Sequence, residues 1–357
     1  MAGNVDRIFT SGVIMGKQQV VIIGETAIDV LVACGSSEPV WGQVEREVSD
    51  AQLVMGSSGA ITAAALATLG LSVQYVGVVG DDYPGKFFRD ELIRFGVGVD
   101  ALRDVEGART GITIALERDD DRAMLTFPGV MSTLTSADVP DTVLDSAVHL
   151  HVSSYFLQRG LHRGLAKLLA RAKASGATTS LDPGWDSDGN WDAGLVEVLR
   201  HVDWFLPNQA EARAIAERLA GHEVLGDEGS LRALHGLVGN AVAIKRGATG
   251  AEVASGGEIL TLATDPLAPV DTTGAGDNFD AGFIFGMLEG NARSALALGV
   301  ACGRHSILGR GGTGNLASRA AADTAARNLL ECVTSRAMAG PPTRGAPLKP
   351  AAPTEER

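Results

Sequence analysis

Short apolar runs alternate along this chain with longer stretches in which apolar residues recur at helical spacing. The runs Gln19–Gly24 (QVVIIG), Val73–Gly80, Val202–Leu206 and Ala241–Arg246 are largely apolar, and the more polar runs Val148–Ser153 and Thr178–Asp182 fall among them with the same short length. Runs of this kind read as strands of a buried sheet. Between them lie helical stretches. These are the Ala-rich segment from Ser58 to Gly70, one opened by Gly80-Asp-Asp-Tyr-Pro, Leu161–Ala174, one beginning at Asn208, 278–289, 292–308, and one near 317–333 capped by Asn315. Strands alternating with helices predict an α/β fold: a mainly parallel sheet with helices on both faces, in three α/β/α layers.

A second pattern interrupts the first. Val30–Ala33, Val40-Trp41, the alternating Val44/Arg46/Val48, Thr110–Leu116 and Ala123–Phe127 read as short strands with one polar face. Asp119-Asp-Asp-Arg122 joins the last two as a solvated hairpin tip. These blocks, about 30–55 and 110–128, predict a small sheet apart from the core. Residues 1–18 read as a flexible leader. The stretch from 336 to 357 has little apolar periodicity, and five of the chain's thirteen prolines fall in it. It reads as a disordered tail, leaving 19–335 as the folded domain.

Composition narrows the function. With 357 residues, 45% of them apolar, a large buried core is expected. A net charge of −13 argues against nucleic acid as the main partner. Cys34, Cys302 and Cys332 are too scattered for a metal motif or a disulfide framework. His149 and His151 alternate in an apolar run and read as one face of a strand. No apolar run is long enough to span a membrane, and Asp6 and Arg7 precede no signal-like core. The expected location is the cytoplasm.

The densest chemistry lies at Asp271-Thr-Thr-Gly-Ala-Gly-Asp277-Asn-Phe-Asp-Ala-Gly-Phe283. Gly274, Ala275 and Gly276 leave backbone N–H groups uncovered where a helix begins, and a helix N-terminus attracts anions. Asp277 would stand beside a phosphate held there. An acidic first turn of an ordinary helix is the plainer alternative. Asp29 follows the first strand at its carboxyl end, where ligands gather in α/β sheets; a turn Asp capping its own backbone is its alternative. Asn208 and Glu211 project from one helical turn and suit water-mediated Mg²⁺ binding, or else a capping box.

The string from Asp271 to Phe283 resembles the signature of the ribokinase-like (PfkB) carbohydrate kinases, and the resemblance covers about 19–335. It implies a ribokinase-like three-layer core with a small β-sheet lid over the sugar site, the lid also serving as a homodimer contact in some relatives. It implies ATP-dependent phosphorylation of a hydroxyl, chiefly a hydroxymethyl, of a small sugar. Asp277 would be the general base and the 274–276 amides the anion hole. Asp29 would bind substrate hydroxyls, as would the Gly56-Ser57-Ser58 loop with Ile61. Asn208, Lys245, the turn Gly247–Gly250, and Gly311 and Gly312 would bind ATP. Asn208 and Glu211 would support Mg²⁺, and Asp271 would shape a K⁺ site in the manner of some relatives. Ser57 stands where a second Gly is common and Ile61 where an Asn commonly bonds the substrate. With Val130 and Met131, Ile61 could pack on a base, so a nucleoside kinase of the same family is the alternative. A non-catalytic sugar-binding regulator is a third reading.

Overall fold

The computed structural model describes residues 19–118 and 121–338. The expected leader, the hairpin-tip residues 119 and 120, and the tail beyond 338 lie outside them. The strands are β1 (Gln19–Ile23), β2 (Ala27–Ala33), β3 (Asp50–Met55), β4 (Val73–Gly80), β5 (Gly98–Val105), β6 (Gly111–Arg118), β7 (Asp121–Phe127), β8 (Ala147–Val152), β9 (Thr178–Leu181), β10 (Trp204–Phe205), β11 (Ala241–Lys245), β12 (Gly250–Ser255), β13 (Glu258–Ala263) and β14 (Thr334–Ala337).

A ten-stranded sheet runs β14-β13-β12-β11-β10-β9-β8-β1-β4-β5. From β11 to β5 neighbouring strands are parallel, and β12, β13 and β14 add antiparallel to one edge. In β1, Val20 and Ile22 join one apolar cluster, while Val21 and Ile23 join another. That alternation follows from the two-residue period of a strand and divides the core into the two halves of an α/β/α sandwich. The chain leaves β1 and later returns on both its flanks, as β4 and as β8. The crevice at the carboxyl end of β1 is thus a topological switch point.

Small residues let helices close on one another. A Cβ on Gly282 would sit 2.5 Å from Leu298 O, and one on Gly286 would sit 2.5 Å from Ala295 Cα. Helix Ala275–Glu289 therefore packs backbone-close on helix Ala292–Ser306, which fixes the N-terminus that carries Asp277.

The second sheet, β3-β2-β6-β7, is separate from the first, as the sequence predicts. Its strands enter after β1 and after β5. Three expectations change. Val40-Trp41 and Val44–Val48 form no strand; they are turn and coil, and Trp41 is 99% exposed. Alternation alone does not make a strand where no neighbouring ladder accepts it. Asn315 does not cap the last helix. Its Nδ2 donates to His305 O, closing the end of the preceding helix, while Ser318 caps helix Arg319–Leu330. The sheet also runs past 335, because β14 pairs with β13 through Ala337.

Candidate active site

Helix Ala275–Glu289 starts at Gly274, which has a left-handed backbone (φ 72°) and provides no side-chain cap. A Cβ at Gly274 would lie 2.6 Å from Gly312 Cα, so both the conformation and the space call for glycine. The uncapped first turn presents its amides at the positive end of the helix dipole. Ala275 N makes only a long contact, 3.3 Å, to Thr272 O. Asp271 braces the loop: Oδ1 accepts from Thr273 N and Oγ1 at 2.8 and 2.7 Å, and Oδ2 accepts from Gly311 N at 2.7 Å. Burial opposes its charge, but these bonds hold its carboxyl below the usual range. Asn278 Nδ2 donates to Gly274 O and Gly312 O, joining the two glycine loops.

Asp277 and Gly276 share a cavity of about 370 Å³ with Ser58, Asp182, Glu211 and Lys245. Burial first, then the charge of Asp182, raises the Asp277 carboxyl to about 7. At the cavity root, Lys245 Nζ donates to Asp182 Oδ2 at 2.6 Å and to both Asp280 oxygens at 3.0 Å. Burial opposes the ammonium charge, but Asp182, Asp280 and Glu211 raise its pKa beyond the ordinary lysine value. Asp280, dehydrated, is pushed well up. Asp182 is held low by the ammonium against the cost of its burial. Asp182 lies just beyond the carboxyl end of parallel strand β9, Lys245 at the end of β11 and Glu211 in the helix that follows β10, whereas Ser58 opens the helix that follows β3 of the small sheet.

The model of the pfkB family carbohydrate kinases matches residues 17–319. The chain belongs to the PfkB family. It is 34% identical over 251 residues to an ATP-dependent ribose-1-phosphate kinase of Halopiger xanaduensis, covering 70% of this chain and 78% of that one. Among solved structures it resembles a putative ribokinase II from E. coli in complex with ATP and Mg²⁺. The TM-score is 0.76 at 22% identity, over 87% of this chain and 99% of that one. Adenosine kinase from Sinorhizobium meliloti is similar at TM-score 0.73 and 25% identity, over 88% of this chain and 99% of that one.

Elsewhere in this PfkB kinase, Asp29 lies on β2, largely buried, and burial followed by the charge of Glu25 raises its carboxyl to about 6. Gly56 makes room for it: a Cβ there would fall 2.3 Å from Asp29 Oδ1. Ser58 lines the Asp277 cavity, and its N donates to Glu25 Oε1 at 2.7 Å. Ser57 faces the scaffold instead. Its hydroxyl donates to Glu25 O at 2.6 Å and accepts from Ala60 N at 3.2 Å, capping helix Ser58–Thr68. Its φ of 74° explains why glycine suits this position. Ile61 is no pocket wall either. It is 3% exposed and wedged against Gly312 and Gly274. Val130 and Met131 are buried as well. The apolar base-packing wall suggested by these three is absent as an open surface.

A second cavity, about 360 Å³, adjoins the first and shares Lys245, Gly247 and Gly276 with it. Gly250, Leu267, Phe279 and Ile307 give it an apolar lining. At Gly250 (φ 100°) a Cβ would meet Leu262 O at 2.0 Å, which fixes the turn as glycine. Gly311 and Gly312 do not line this cavity. Gly312 abuts Ile61, and Gly311 faces Val54 and Leu31 of the small sheet. Asn208 and Glu211 realise the capping box: Asn208 Oδ1 accepts from Glu211 N at 2.9 Å, and Glu211 Oε2 accepts from Asn208 N at 2.8 Å. Both still line the Asp277 cavity.

The sequence alone pointed to no role for Asp280 or Glu25. Asp280 falls on the same helix face as Asp277, three residues on. Glu25 stands one residue beyond the Gly that ends the first strand. Both positions were visible, but their partners come from distant strands.

Proposed function

We propose that this PfkB kinase transfers the γ-phosphoryl group of ATP to a hydroxyl, chiefly a hydroxymethyl, of a small sugar or sugar derivative. The observation that carries this is one cavity holding both Asp277 and Gly276 of the uncapped helix start. The acceptor oxygen attacks the γ-phosphorus, the bond from that phosphorus to the bridging oxygen breaks, and ADP leaves. The hydroxyl proton passes to the Asp277 carboxylate. The 274–276 amides stabilise charge on the transferring group, and Asp29 holds neighbouring hydroxyls. Catalysis is then mainly positioning and electrostatics.

The adjoining cavity with Gly247, Gly250 and Lys245 takes the nucleotide in this reading. The capping box leaves one Glu211 oxygen outside its hydrogen bond, which suits contact with the waters of Mg²⁺. That ion would neutralise phosphate charge. Both Asp271 oxygens accept bonds from the loops, which leaves its K⁺ role to be tested by varying K⁺ in the assay. A nucleoside acceptor uses the same chemistry; the likeness to adenosine kinase keeps it as the second reading. The assembled base and anion site argue against a regulator without catalysis.

Leu53, Val30, Ile114 and Leu125 form one register row across the small sheet, and Leu53, Ile114 and Leu125 are exposed. We propose this face as a homodimer contact, to be checked by sedimentation of wild type and Leu125→Glu. Two buried cysteines and one exposed one, all unpaired, suit the cytoplasm. Among the described residues no helix is long and apolar enough to cross a membrane. The function is tested by ADP release across pentoses, hexoses, sugar acids, sugar phosphates and nucleosides. Turnover confined to nucleosides would overturn the sugar assignment.

A further inference from the structure

The small sheet carries three charged residues in one row. Asp50 on β3 and Glu117 on β6 both pair with Ala33 of β2, and Arg122 on β7 pairs with Glu117. Residues opposite one another across strands project from the same face. This row meets the two glycine loops of the core. Arg310, in the second loop, donates to Asp50 Oδ2 and to Glu117 Oε2, the latter at 2.7 Å. In the opposite direction, Arg122 Nη1 donates to Thr273 Oγ1 at 2.7 Å and lies 4.0 Å from Asp271 Oδ1. One arginine thus reaches from core to lid and another from lid to core.

The two loops behave as one body. Asp271 accepts from Gly311 N, and Asn278 bonds both loops across the glycine contact. One of these loops ends in the amides of the anion hole. Pulling the lid away breaks both arginine contacts and removes hydrogen bonds from the loop that shapes the phosphate site.

We propose that Arg122 and Arg310 are positioning residues that latch the lid to the anion-hole loops, so that lid closure and ordering of residues 271–276 are a single event. This rests on the kinase reading for its purpose, since it would confine phosphoryl transfer to the covered site. It does not rest on that reading for its existence. Neither guanidinium needs to touch substrate; each acts through the loop.

Hydrogen exchange on the full chain tests the coupling directly, alongside kcat and KM. In Arg310→Ala, the latch predicts that amides of 50–55, 111–118 and 271–276 exchange faster together, by roughly tenfold, while β8 and β9 stay unchanged. Arg122→Ala should do the same and lower kcat more than it raises KM for ATP, with Arg122→Lys recovering part of the loss. Faster exchange of the lid alone, with 271–276 as protected as in wild type, would overturn the latch. So would faster exchange everywhere, which would mark a general loss of stability. Coupled exchange in a chain with no turnover on any acceptor would leave the latch standing and remove the kinase reading instead.

Discussion

Lys245 places its ammonium 3.0 Å from both carboxylate oxygens of Asp280, beneath the helix turn that holds Asp277. Asp182 completes the group at 2.6 Å. The lysine and both carboxylates are at most 10% exposed, so the charges depend on one another. Lys245→Met leaves two buried carboxylates without their cation. It should cost about 3 kcal/mol of stability, read by urea unfolding. Asp280→Asn keeps the Lys245–Asp182 pair and should cost only about 1 kcal/mol. Equal losses in the two variants would show that the pairing is not what stabilises this region.

In the proposed mechanism Asp277 sets the pH dependence. Its carboxyl holds a proton to about 7 in the folded chain, against a reference value of 3.8. As a base it works only when ionised, so kcat/KM should rise with pH and level off above about 7. Stability runs the other way. Between those two values the folded chain binds the extra proton and the unfolded chain does not, so unfolding free energy from this group falls as pH rises. Asp277→Asn should flatten that fall, measured as denaturation midpoints across the same pH range.

Much of the fold could be read from the chain. Burial on both faces gave β1 and β4 their largely apolar runs, and the contiguous loop from Asp271 to Asp277 announced a helix start rich in small residues. What could not be read depends on contacts between distant segments. Lys245, Asp182 and Asp280 come from two strand ends and a helix, and nothing local marks them as partners. Ser57 falls in a loop that the family resemblance assigns to the substrate; only its left-handed backbone and the Glu25 carbonyl show where its hydroxyl goes. Ile61 looked like a pocket wall because sequence does not show that Gly312 lies against it. Val44, Arg46 and Val48 alternate like a strand but have no neighbouring strand to pair with among the described residues.

Ser57 gives a direct check of that correction. Ser57→Ala loses the cap while keeping the left-handed strain and should destabilise by about 1 kcal/mol, seen as a lower Tm. Ser57→Gly loses the same cap but relieves about 1 kcal/mol of strain, so it should stay close to wild type. Neither should raise KM for the acceptor. A large KM increase in both would return Ser57 to the substrate site.

Asn208 and Glu211 combine a capping box with a place in the Asp277 cavity. Glu211→Gln preserves the capping geometry, since Gln also serves at this position, but removes the charge. It should leave Tm nearly unchanged and raise the Mg²⁺ concentration needed for half-maximal rate. Asn208→Ala should cost about 1 kcal/mol of stability through the lost cap. If Glu211→Gln changes neither Mg²⁺ dependence nor rate, the pair is only a cap.

The most direct measurement is single-turnover phosphoryl transfer by Asp277→Asn beside wild type, with nucleotide binding followed in the same samples. The amide is nearly isosteric with the carboxylate and cannot take the hydroxyl proton. The expected result is ATP binding close to wild type and transfer slowed by about 10³-fold. Transfer within tenfold of wild type would contradict Asp277 as the base.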